Sequence, residues 1–368
     1  MKSKRIHLIA AARPNFMKVA PLYHALVRDS LFDVRIVHTG QHYDANMSAA
    51  FFADLELPTP HHYLEVGSGS HAEQTGGVMI AYEQVCIAEK PDCVIVVGDV
   101  NSTAAVAMVC AKLLVPLVHL EAGLRSGDRT MPEEVNRLVT DAIANLLWTP
   151  SPDADQNLLR EGVPADRIDR VGNIMIDSFE LLRSKIESDE TRKRMGFSDK
   201  LYGVVTLHRP SNVDDQNTLQ ALVEQLENVT RFISLIFSVH PRTLGRLKEF
   251  NLYDRLARLS GMTLMEPVGY IQFMNLVVAA DLVITDSGGI QEETTYLGIP
   301  CLTLRPNTER PITITEGTNL LVTPVSLVSE VNRVLDGGRA NGRRPDRWDG
   351  QTAGRCVESL KSRIFSGE

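Results

Sequence analysis

The sequence predicts an α/β protein of two domains, each built on a parallel sheet that helices cover. Short runs rich in Val, Ile and Leu alternate along the chain with longer segments of helical pattern, and this alternation is typical of parallel sheets. The runs are hydrophobic on both faces, as strands covered by helices on both sides require. With 368 residues, 43% of them hydrophobic, the chain can bury two ordinary cores, which indicates two domains.

The strands are predicted at eight apolar runs. In chain order these are RIHLIAA, DVRIVHTG, DCVIVVGD, VPLVHLEAG, YGVVTLH, SLIFSVH, LVITD and IPCLTL. The charged, helix-prone segment 184–201 separates the first four from the last four, and we expect the domain junction at or just before it. We therefore predict domains at residues 1–175 and 176–350, and a C-terminal helix in residues 351–368 that packs back on the first domain.

The composition argues against several kinds of partner. A formal net charge of −8 disfavours general binding to nucleic acid or to a membrane surface, because both are anionic. The five cysteines form no CxxC pair and have no clustered histidines, so we expect no metal site and reduced, mostly buried thiols in a cytoplasmic protein. The apolar run at the N-terminus is too short for a signal peptide, and no run approaches the ~20 residues of a membrane span.

The residues that follow the predicted strands are the first candidates for a binding site. In open parallel sheets, ligands bind beyond the carboxyl ends of the strands. These positions are rich in titratable and phosphate-binding side chains, namely Arg13, His42, Asp99, Glu121, His208, His240, Ser287 and Arg305.

The stretch VITDSGGIQEETTYLG, residues 283–298, passes from a strand through two glycines into a helix. Glycines let the backbone approach a ligand closely, and the N–H groups at a helix start bind anions. Ser287, Gly288 and Gly289 are therefore predicted to hold a pyrophosphate, and Glu293 in the following helix to contact a ribose hydroxyl. The alternative is a tight turn in which the acid or the serine only caps the helix.

Two cations lie at the first strand-to-helix turn, in the stretch AARPNFMKVAPL. Arg13 and Lys18 are five residues apart at a helix start, without the GxGxxG pattern of dinucleotide folds. Arg binds phosphate as a fork and Lys as a point charge, so the pair is predicted to clamp a phosphate. The alternative is a solvated surface pair.

Three carboxylates are predicted at one end of the first sheet. Asp99 and Glu121 each follow an apolar strand, and Glu133 lies near the start of the next helix with Arg137 on the same face. Paired carboxylates in different surroundings supply an acid and a base at neutral pH. For Glu133 the alternative is a capping box with Thr130.

Histidines follow two strands of the second domain. His208 in TLHRPSNVDD and His240 in SVHPRT occupy equivalent positions, each with an arginine close behind. A lone histidine beside a strand is more often structural, but two in equivalent positions favour a role in function. Arg310 follows the last of the predicted strands.

These motifs together resemble one known family. In order they are ARPNFMKVAPL, TGQHYDANM, VGDVNSTAA, HLEAGLRSGDRTMPEEVNR, VGNIMIDS, LHRPSNVDD, VHPRT, TDSGGIQEETTYLGIPCLTLRPNTERP and EGTN. Over nearly its whole length the chain resembles the non-hydrolysing UDP-N-acetylglucosamine 2-epimerases.

The resemblance implies a fold and a reaction. The fold would be two Rossmann-like domains of the glycosyltransferase B type, with the active site in the interdomain cleft of each subunit of a homodimer. The reaction would be reversible epimerisation at C2 of UDP-N-acetylglucosamine to UDP-N-acetylmannosamine, by elimination and re-addition of UDP, with no redox cofactor and no obligatory metal. The partner would be a UDP-sugar, with no nucleic acid and no membrane.

The resemblance also assigns roles to residues. The catalytic set it implies is Asp99, Glu121, Glu133 and His208. The substrate-binding set is Arg13, Lys18, Arg137, His240, Ser287, Gly288, Gly289, Glu293 and Arg310, with His208 also on the departing diphosphate. A neighbouring allosteric pocket would take Gln41, His42 and Gln74.

Three alternatives stay open at this level. The first is a hydrolysing relative that releases the free sugar, and the second is an epimerase for a related UDP-2-acetamido sugar. The third is a glycosyltransferase on the same fold.

The chain also departs from many family members at Ala11 and Asn15, where they have a glycine and a carboxylate, and in TMPEE, which is shorter than their SPWPEE.

We predict that allosteric activation by a second substrate molecule is weak or absent. Glu73 stands where activated family members have an arginine, and an acid would repel the diphosphate of an effector. Initial rates against UDP-N-acetylmannosamine should therefore follow a hyperbola. A strongly sigmoidal curve that becomes hyperbolic when a trace of UDP-N-acetylglucosamine is added would contradict this.

Overall fold

The computed structural model describes residues 3–11, 13–40, 52–338 and 342–366, with all their side chains except those of Arg13 and Pro14. The chain divides into two compact units. Unit 1 consists of Met1–Leu182 and Asp346–Glu368, and unit 2 of Arg183–Pro345.

Unit 1 contains a sheet of seven strands in its described part, all parallel. The strands are β1 (Lys4–Ala10), β2 (Phe32–His38), β3 (His62–Tyr63), β4 (Cys93–Val97), β5 (Leu117–Leu120), β6 (Leu146–Thr149) and β7 (Ile168–Arg170). Their order is β3-β2-β1-β4-β5-β6-β7. The strands from β1 to β3 therefore follow one another towards one edge of the sheet, and those from β4 to β7 towards the other. We call this arrangement a change in the direction of growth between β1 and β4.

The helices that follow in unit 1 are α1 (Arg13–Val27), α2 (His71–Glu89), α3 (Asn101–Leu113), α4 (Pro132–Ile143), α5 (Pro152–Arg160) and α6 (Ile174–Ser188), with a 3-10 turn at Ala165–Arg167. Helix α2 begins with a capping box between Ser70 and Glu73, so this exposed carboxylate stabilises the helix start. Helix α6 runs from unit 1 into unit 2.

Unit 2 contains a second parallel sheet, of six strands. The strands are β8 (Tyr202–Thr206), β9 (Ser234–Ser238), β10 (Met262–Met265), β11 (Leu282–Thr285), β12 (Cys301–Thr303) and β13 (Asn319–Leu321). Their order, β10-β9-β8-β11-β12-β13, again grows in two directions, here from β8 and β11.

The helices of unit 2 are α7 (Thr191–Arg194), α8 (Pro210–Val213), α9 (Gln216–Val229), α10 (Pro241–Glu249), α11 (Tyr253–Ala257), α12 (Tyr270–Val277), α13 (Gly288–Leu297), α14 (Ile312–Thr315) and α15 (Leu327–Leu335). Helix α9 shows why they form. The Asp215 carboxylate accepts a hydrogen bond from Thr218 N–H at its start. Leu219, Leu222 and Leu226 then recur on one face and pack in the core of this unit.

The C-terminal segment returns to unit 1. It forms α16 (Thr352–Ser359) and a π turn at Leu360–Ile364. The Asp177 carboxylate accepts hydrogen bonds from the N–H groups of Thr352 and Ala353 at the start of α16, and Trp148 Nε1–H donates to Ser359 Oγ over 2.8 Å. These buried bonds attach the segment to α6 and β6.

The predicted α/β class is confirmed, and all eight predicted strands are present. Five further strands were missed, namely β3, β6, β7, β10 and β13. Four of them lie at sheet edges and are only partly buried, so they lack the continuous apolar run of a central strand. The fifth, β6, is four residues long and follows α4 almost directly.

The five cysteines are buried free thiols, as predicted. Among the described residues, no helix has both the length and the apolar character that crossing a membrane requires.

Candidate active site

The candidate residues lie where each sheet changes its direction of growth. In unit 1 this point is between β1 and β4, and in unit 2 it is between β8 and β11. Loops that leave the carboxyl ends of these paired strands diverge to opposite faces of the sheet, and the crevice between them is the usual ligand site. Each unit therefore offers one candidate site.

In unit 1, Glu121 directly follows β5 and is 5% exposed. Its Oε2 forms an ion pair with Lys18 Nζ of α1, while its buried Oε1 has no hydrogen-bond partner among the described residues. Gly98, after β4, lies against this pair, because a Cβ atom there would be 3.4 Å from both Glu121 Oε2 and Lys18 Nζ. A buried carboxylate oxygen with no donor of its own is suited to accept a proton or a hydrogen bond from a ligand.

Asp99, which follows Gly98, is held by Arg137 of α4. Arg137 Nη2 lies 2.5 Å from Asp99 Oδ2, and its Nη1 donates to Glu134 Oε2 over 2.9 Å. Glu134 also accepts the backbone N–H groups of Ser126 and Gly127 over 2.9 and 3.0 Å. Arg137 thus connects Asp99 to the loop before α4.

Glu133 does not cap α4. The N-cap residue is Met131, whose side chain makes no capping bond, and the Thr130 hydroxyl donates to Asp128 instead. The capping-box alternative is therefore wrong. Glu133 is exposed and lines a cavity together with Asp99.

That cavity has a volume of about 180 Å³ and is lined by both polar and apolar side chains. Besides the two acids, its lining includes Asn101, Asn136 and Gln74. Asn136 Nδ2–H donates to the Asp99 carbonyl oxygen, and Asn101 Nδ2–H to Gln74 Oε1, each over 2.9 Å. Amides and carboxylates held in this way present donors and acceptors to a ligand rich in hydroxyl or amide groups.

In unit 2, Asp286 directly follows β11 and is fully buried. It accepts hydrogen bonds from the N–H groups of His208 and Arg209 and from Asn212 Nδ2–H, all near 3.0 Å. Burial by itself would raise the pKa of Asp286, but the hydrogen bond and charge of His208 and the Asn212 amide outweigh burial and hold this pKa below its usual range. This carboxylate therefore shapes the loop after β8.

The imidazole rings of His208 and His240 lie together, with ring centroids 5.5 Å apart. His208 Nδ1 lies 2.9 Å from Asp286 Oδ1, an arrangement that places a proton on Nδ1 and leaves Nε2 for a ligand. His240 Nδ1 accepts Arg242 N–H over 3.2 Å, so the proton of its neutral ring is on Nε2. Burial, and then the charge of His208, lower the pKa of His240 and favour that neutral form.

The start of α13 fits an anion. Ser287 is its N-cap residue but makes no side-chain capping bond, so the alternative of a simple cap is not supported. The guanidinium of Arg310 lies beside Gly288, because a Cβ atom there would be 3.0 Å from Arg310 Nη1. Arg310 Nε is 2.9 Å from Glu292 Oε1, which orients the guanidinium. A helix start with an oriented cation at its first residue is a favourable site for phosphate.

Glu309 holds the loop that carries this arginine. It receives both nitrogens of the Arg305 fork at 2.9 Å, and Arg310 Nη1 lies 3.6 Å away. Burial would raise the pKa of Glu309, but the Arg305 hydrogen bonds and then the charges of Arg310 and Arg305 outweigh it and lower this pKa to about 2.

Glu293 lies one turn further along α13 and is 4% exposed. Its Oε1 accepts the hydroxyl of Tyr270 over 2.6 Å. Burial raises the pKa of Glu293 to about 7, against the lowering effect of that hydrogen bond.

Three candidates lie outside the described residues, namely the side chain of Arg13 and the whole of Gln41 and His42. Conversely, the candidates of the sequence analysis did not include Asp286 and Glu134, which organise the candidate sites of unit 2 and unit 1. Asp286 had a usable signal, since it is the acid directly after β11. Glu134 had none, because only the fold decides which of two adjacent glutamates is buried.

Comparison with known proteins identifies one family. The sequence model of the family described as UDP-N-acetylglucosamine 2-epimerase matches residues 24–361. A protein named UDP-N-acetylglucosamine 2-epimerase from Methanocaldococcus jannaschii is 45% identical over 324 residues, covering 86% of this chain and 88% of that relative. A protein named UDP-2,3-diacetamido-2,3-dideoxy-D-glucuronate 2-epimerase from Pseudomonas aeruginosa is 38% identical, with 86% and 88% covered.

The solved structures agree. The crystal structure of Methanocaldococcus jannaschii UDP-GlcNAc 2-epimerase in complex with UDP-GlcNAc and UDP has a TM-score of 0.87 at 41% identity, covering 97% of this chain and 99% of that one. These matches confirm the predicted fold class of two Rossmann-like domains of the glycosyltransferase B type.

We predict that the two adjacent glutamates of α4 differ in what they contribute to stability. Glu134→Gln removes the charge from a buried carboxylate with three donors, so the free energy of unfolding should fall by about 1.5–3 kcal/mol. Glu133→Gln changes an exposed side chain and should stay within about 0.5 kcal/mol of the wild type. Urea unfolding followed by fluorescence measures both, and equal losses in the two variants would contradict the assignment.

Proposed function

The chain belongs to the UDP-N-acetylglucosamine 2-epimerase family, and we propose that it interconverts UDP-N-acetylglucosamine and UDP-N-acetylmannosamine without releasing free sugar. The observation that carries this proposal is the trio of acids in unit 1, of which Glu121 and Asp99 are each paired with a cation and Glu133 is exposed. Transfer of a sugar from a UDP-sugar to an acceptor has no evident need for three such acids.

In the proposed mechanism, unit 2 binds the UDP group. The Ser287 hydroxyl, the N–H groups of Gly288 and Gly289 and the guanidinium of Arg310 bind the diphosphate, and His208 Nε2 faces the same anion. The Asp286 carboxylate keeps His208 oriented over 2.9 Å. Donors that are already in place stabilise negative charge as it develops on the leaving diphosphate. His240 and Glu293 remain candidates for further contacts, the latter with a ribose hydroxyl.

The acids of unit 1 move the proton at C2. One carboxylate removes this proton, the C1–O bond breaks with its electron pair leaving on UDP, and a C1–C2 double bond forms. A second acid then returns a proton to the other face of C2, and UDP adds again at C1. No oxidation state changes overall. Glu121, with a buried Oε1 that has no donor among the described residues, and the exposed Glu133 meet the requirement for two acids in different surroundings.

Lys18 and Arg137 have a role in this scheme beside phosphate binding. Each is a cation in contact with one of the acids, Lys18 with Glu121 and Arg137 with Asp99. A diphosphate that approached either cation would compete with its carboxylate, so departure of UDP and proton transfer would be coupled through these pairs.

The cavity of unit 1 favours a neutral sugar over a uronate. The relative from Pseudomonas aeruginosa is named for a diacetamido-glucuronate substrate, whose carboxylate needs a cation. The described lining of the cavity includes the acids Asp99 and Glu133 and one histidine, His71, but no Lys or Arg. Like charges would repel a uronate, which supports UDP-N-acetylglucosamine as the substrate.

We further propose that the protein is a cytoplasmic homodimer. Five buried free cysteines fit a reducing compartment. Ile80 and Ile87 lie two turns apart on one face of α2 and are 71% and 53% exposed. Large apolar side chains grouped on one helical face are typical of a surface that another protein covers.

The first test is proton NMR of the purified protein with UDP-N-acetylglucosamine in deuterated water. We expect UDP-N-acetylmannosamine with deuterium at C2 and no free sugar, because the C2 proton exchanges with solvent through the acid. Accumulation of free N-acetylmannosamine and UDP would instead identify the hydrolysing reaction. Unchanged substrate would point to another UDP-sugar.

The matched control for this test is the pair Glu133→Gln and Glu134→Gln. The first removes an acid from the cavity and should abolish most deuterium incorporation. The second leaves all three acids of the trio in place and reaches Asp99 only through Arg137, so its folded fraction should still exchange the C2 proton, at a reduced rate.

We predict that Ile80→Asp and Ile87→Asp each shift the protein towards a monomer, because a buried unpaired carboxylate would destabilise the interface. Sedimentation velocity gives the mass of each variant. The control is Leu201→Asp, at a side chain of unit 2 that is 69% exposed. A monomeric wild type, or dimers of both α2 variants, would refute the proposed interface.

A further inference from the structure

A buried histidine and a buried aspartate lie behind the acids of unit 1. His119 is the third residue of β5 and is fully buried, and Asp141 in the last turn of α4 is 1% exposed. His119 Nδ1 lies 2.6 Å from Asp141 Oδ1, and His119 Nε2 lies 2.8 Å from the carbonyl oxygen of Gly98. Neither residue is used in the mechanism above.

The partners of His119 fix the orientation of its ring. A carbonyl oxygen can only accept a hydrogen bond, so Nε2 carries a proton and donates it to Gly98. Nδ1 faces the Asp141 carboxyl group at 2.6 Å. Burial alone would raise the pKa of Asp141, but the charge and hydrogen bond of His119, followed by Arg125, outweigh burial and hold this pKa below its usual range. Both ring nitrogens of His119 are therefore engaged in buried hydrogen bonds.

The remaining bonds of Asp141 enclose the segment that carries Glu121. Its Oδ2 accepts Gly123 N–H over 3.0 Å and contacts Arg125 Nη1 at 2.7 Å. The same carboxylate thus holds the chain two residues before Glu121, through His119, and two residues after it, through Gly123. Between these points Glu121 has φ of 72°, a left-handed conformation that non-glycine residues adopt only when their surroundings enforce it.

The Nε2 proton of His119 is donated to the residue beside the other acid, Asp99. Gly98, whose carbonyl oxygen accepts it, directly precedes Asp99 and lies against the Lys18–Glu121 pair. The pair of His119 and Asp141 is therefore bonded to the backbone on both sides of Glu121 and to the residue before Asp99.

We propose that His119, held by Asp141, is a positioning residue that fixes Glu121 and Asp99 relative to each other. It touches no substrate in this scheme and acts through the Gly98 carbonyl and the Glu121 segment. The inference rests on the proposed function, since the two acids must work on the same C2 atom. Displacements of about 1 Å at reacting groups can cost about 10²-fold in rate, so such a device is needed.

The hydrogen bond from His119 to Gly98 is tested on the wild type by ¹⁵N NMR with labelled histidine. We expect the Nε2 proton of His119 to be present and to exchange slowly with solvent, because it is buried and donated to a carbonyl oxygen. The resonance is assigned by its loss in His119→Gln. His7 is a matched internal control, because it is also fully buried in this sheet but its Nε2 has no hydrogen-bond partner among the described residues. An unprotonated Nε2 on His119 would overturn the proposal, whether or not the protein is an epimerase.

The positioning role is tested by kinetics. Asp141→Asn and His119→Gln should lower kcat by roughly 10- to 100-fold, as loss of a group that orients catalytic residues does, with little change in KM or in UDP affinity by calorimetry. His7→Gln is the matched control for loss of a buried histidine and should leave kcat unchanged per folded molecule.

A merely structural role makes a different prediction. If both the Asp141 and His119 variants keep the wild-type kcat per folded molecule, or lose rate only in proportion to the folded fraction, His119 does not position the acids. If the wild type itself fails to epimerise UDP-N-acetylglucosamine, the proposed function fails while the NMR result on His119 still stands or falls by itself.

Discussion

The candidate sites of both units depend on one constraint of the parallel sheet, which brings every strand-to-helix loop to the same edge. Where the sheet changes its direction of growth, neighbouring loops separate and leave room for a ligand. In unit 1 this puts Asp99 beside Glu121, and in unit 2 it puts Asp286 beside His208 and the start of α13. The residue directly after each strand is close to the ordered sheet, so its side chain is placed with little conformational freedom.

Burial then separates carboxylates that hold the structure from carboxylates that are suited to chemistry. Asp286, Glu134 and Glu309 are buried and each accepts several hydrogen bonds or guanidinium contacts, because an unpaired buried charge is costly. Glu133 is exposed at the cavity, and Glu121 keeps one buried oxygen without a donor among the described residues. Carboxylates therefore either hold the structure or are suited to chemistry. Their hydrogen-bond partners show which of the two roles each one has.

Much of this site was accessible from local sequence pattern. Strands with continuous apolar runs were found, and with them the positions of Asp99, Glu121, His208 and Ser287. Local pattern does not show which residue begins helix α4, because Thr130 and Glu133 have the spacing of a capping box. The structure places Met131 at the N-cap and commits Thr130 to a local turn, a choice that depends on where the preceding loop is anchored.

The sequence by itself determined the α/β class, the order of the strands along the chain and the motifs of the epimerase family, because each is encoded in short stretches of hydrophobicity, glycine and charge. The tertiary structure alone decided which groups meet. Lys18 and Glu121 are 103 residues apart, His208 and Asp286 are 78 apart, and His119 and Asp141 are 22 apart. Such pairs arise from the order of strands in the sheet, and no local pattern of residues specifies that order.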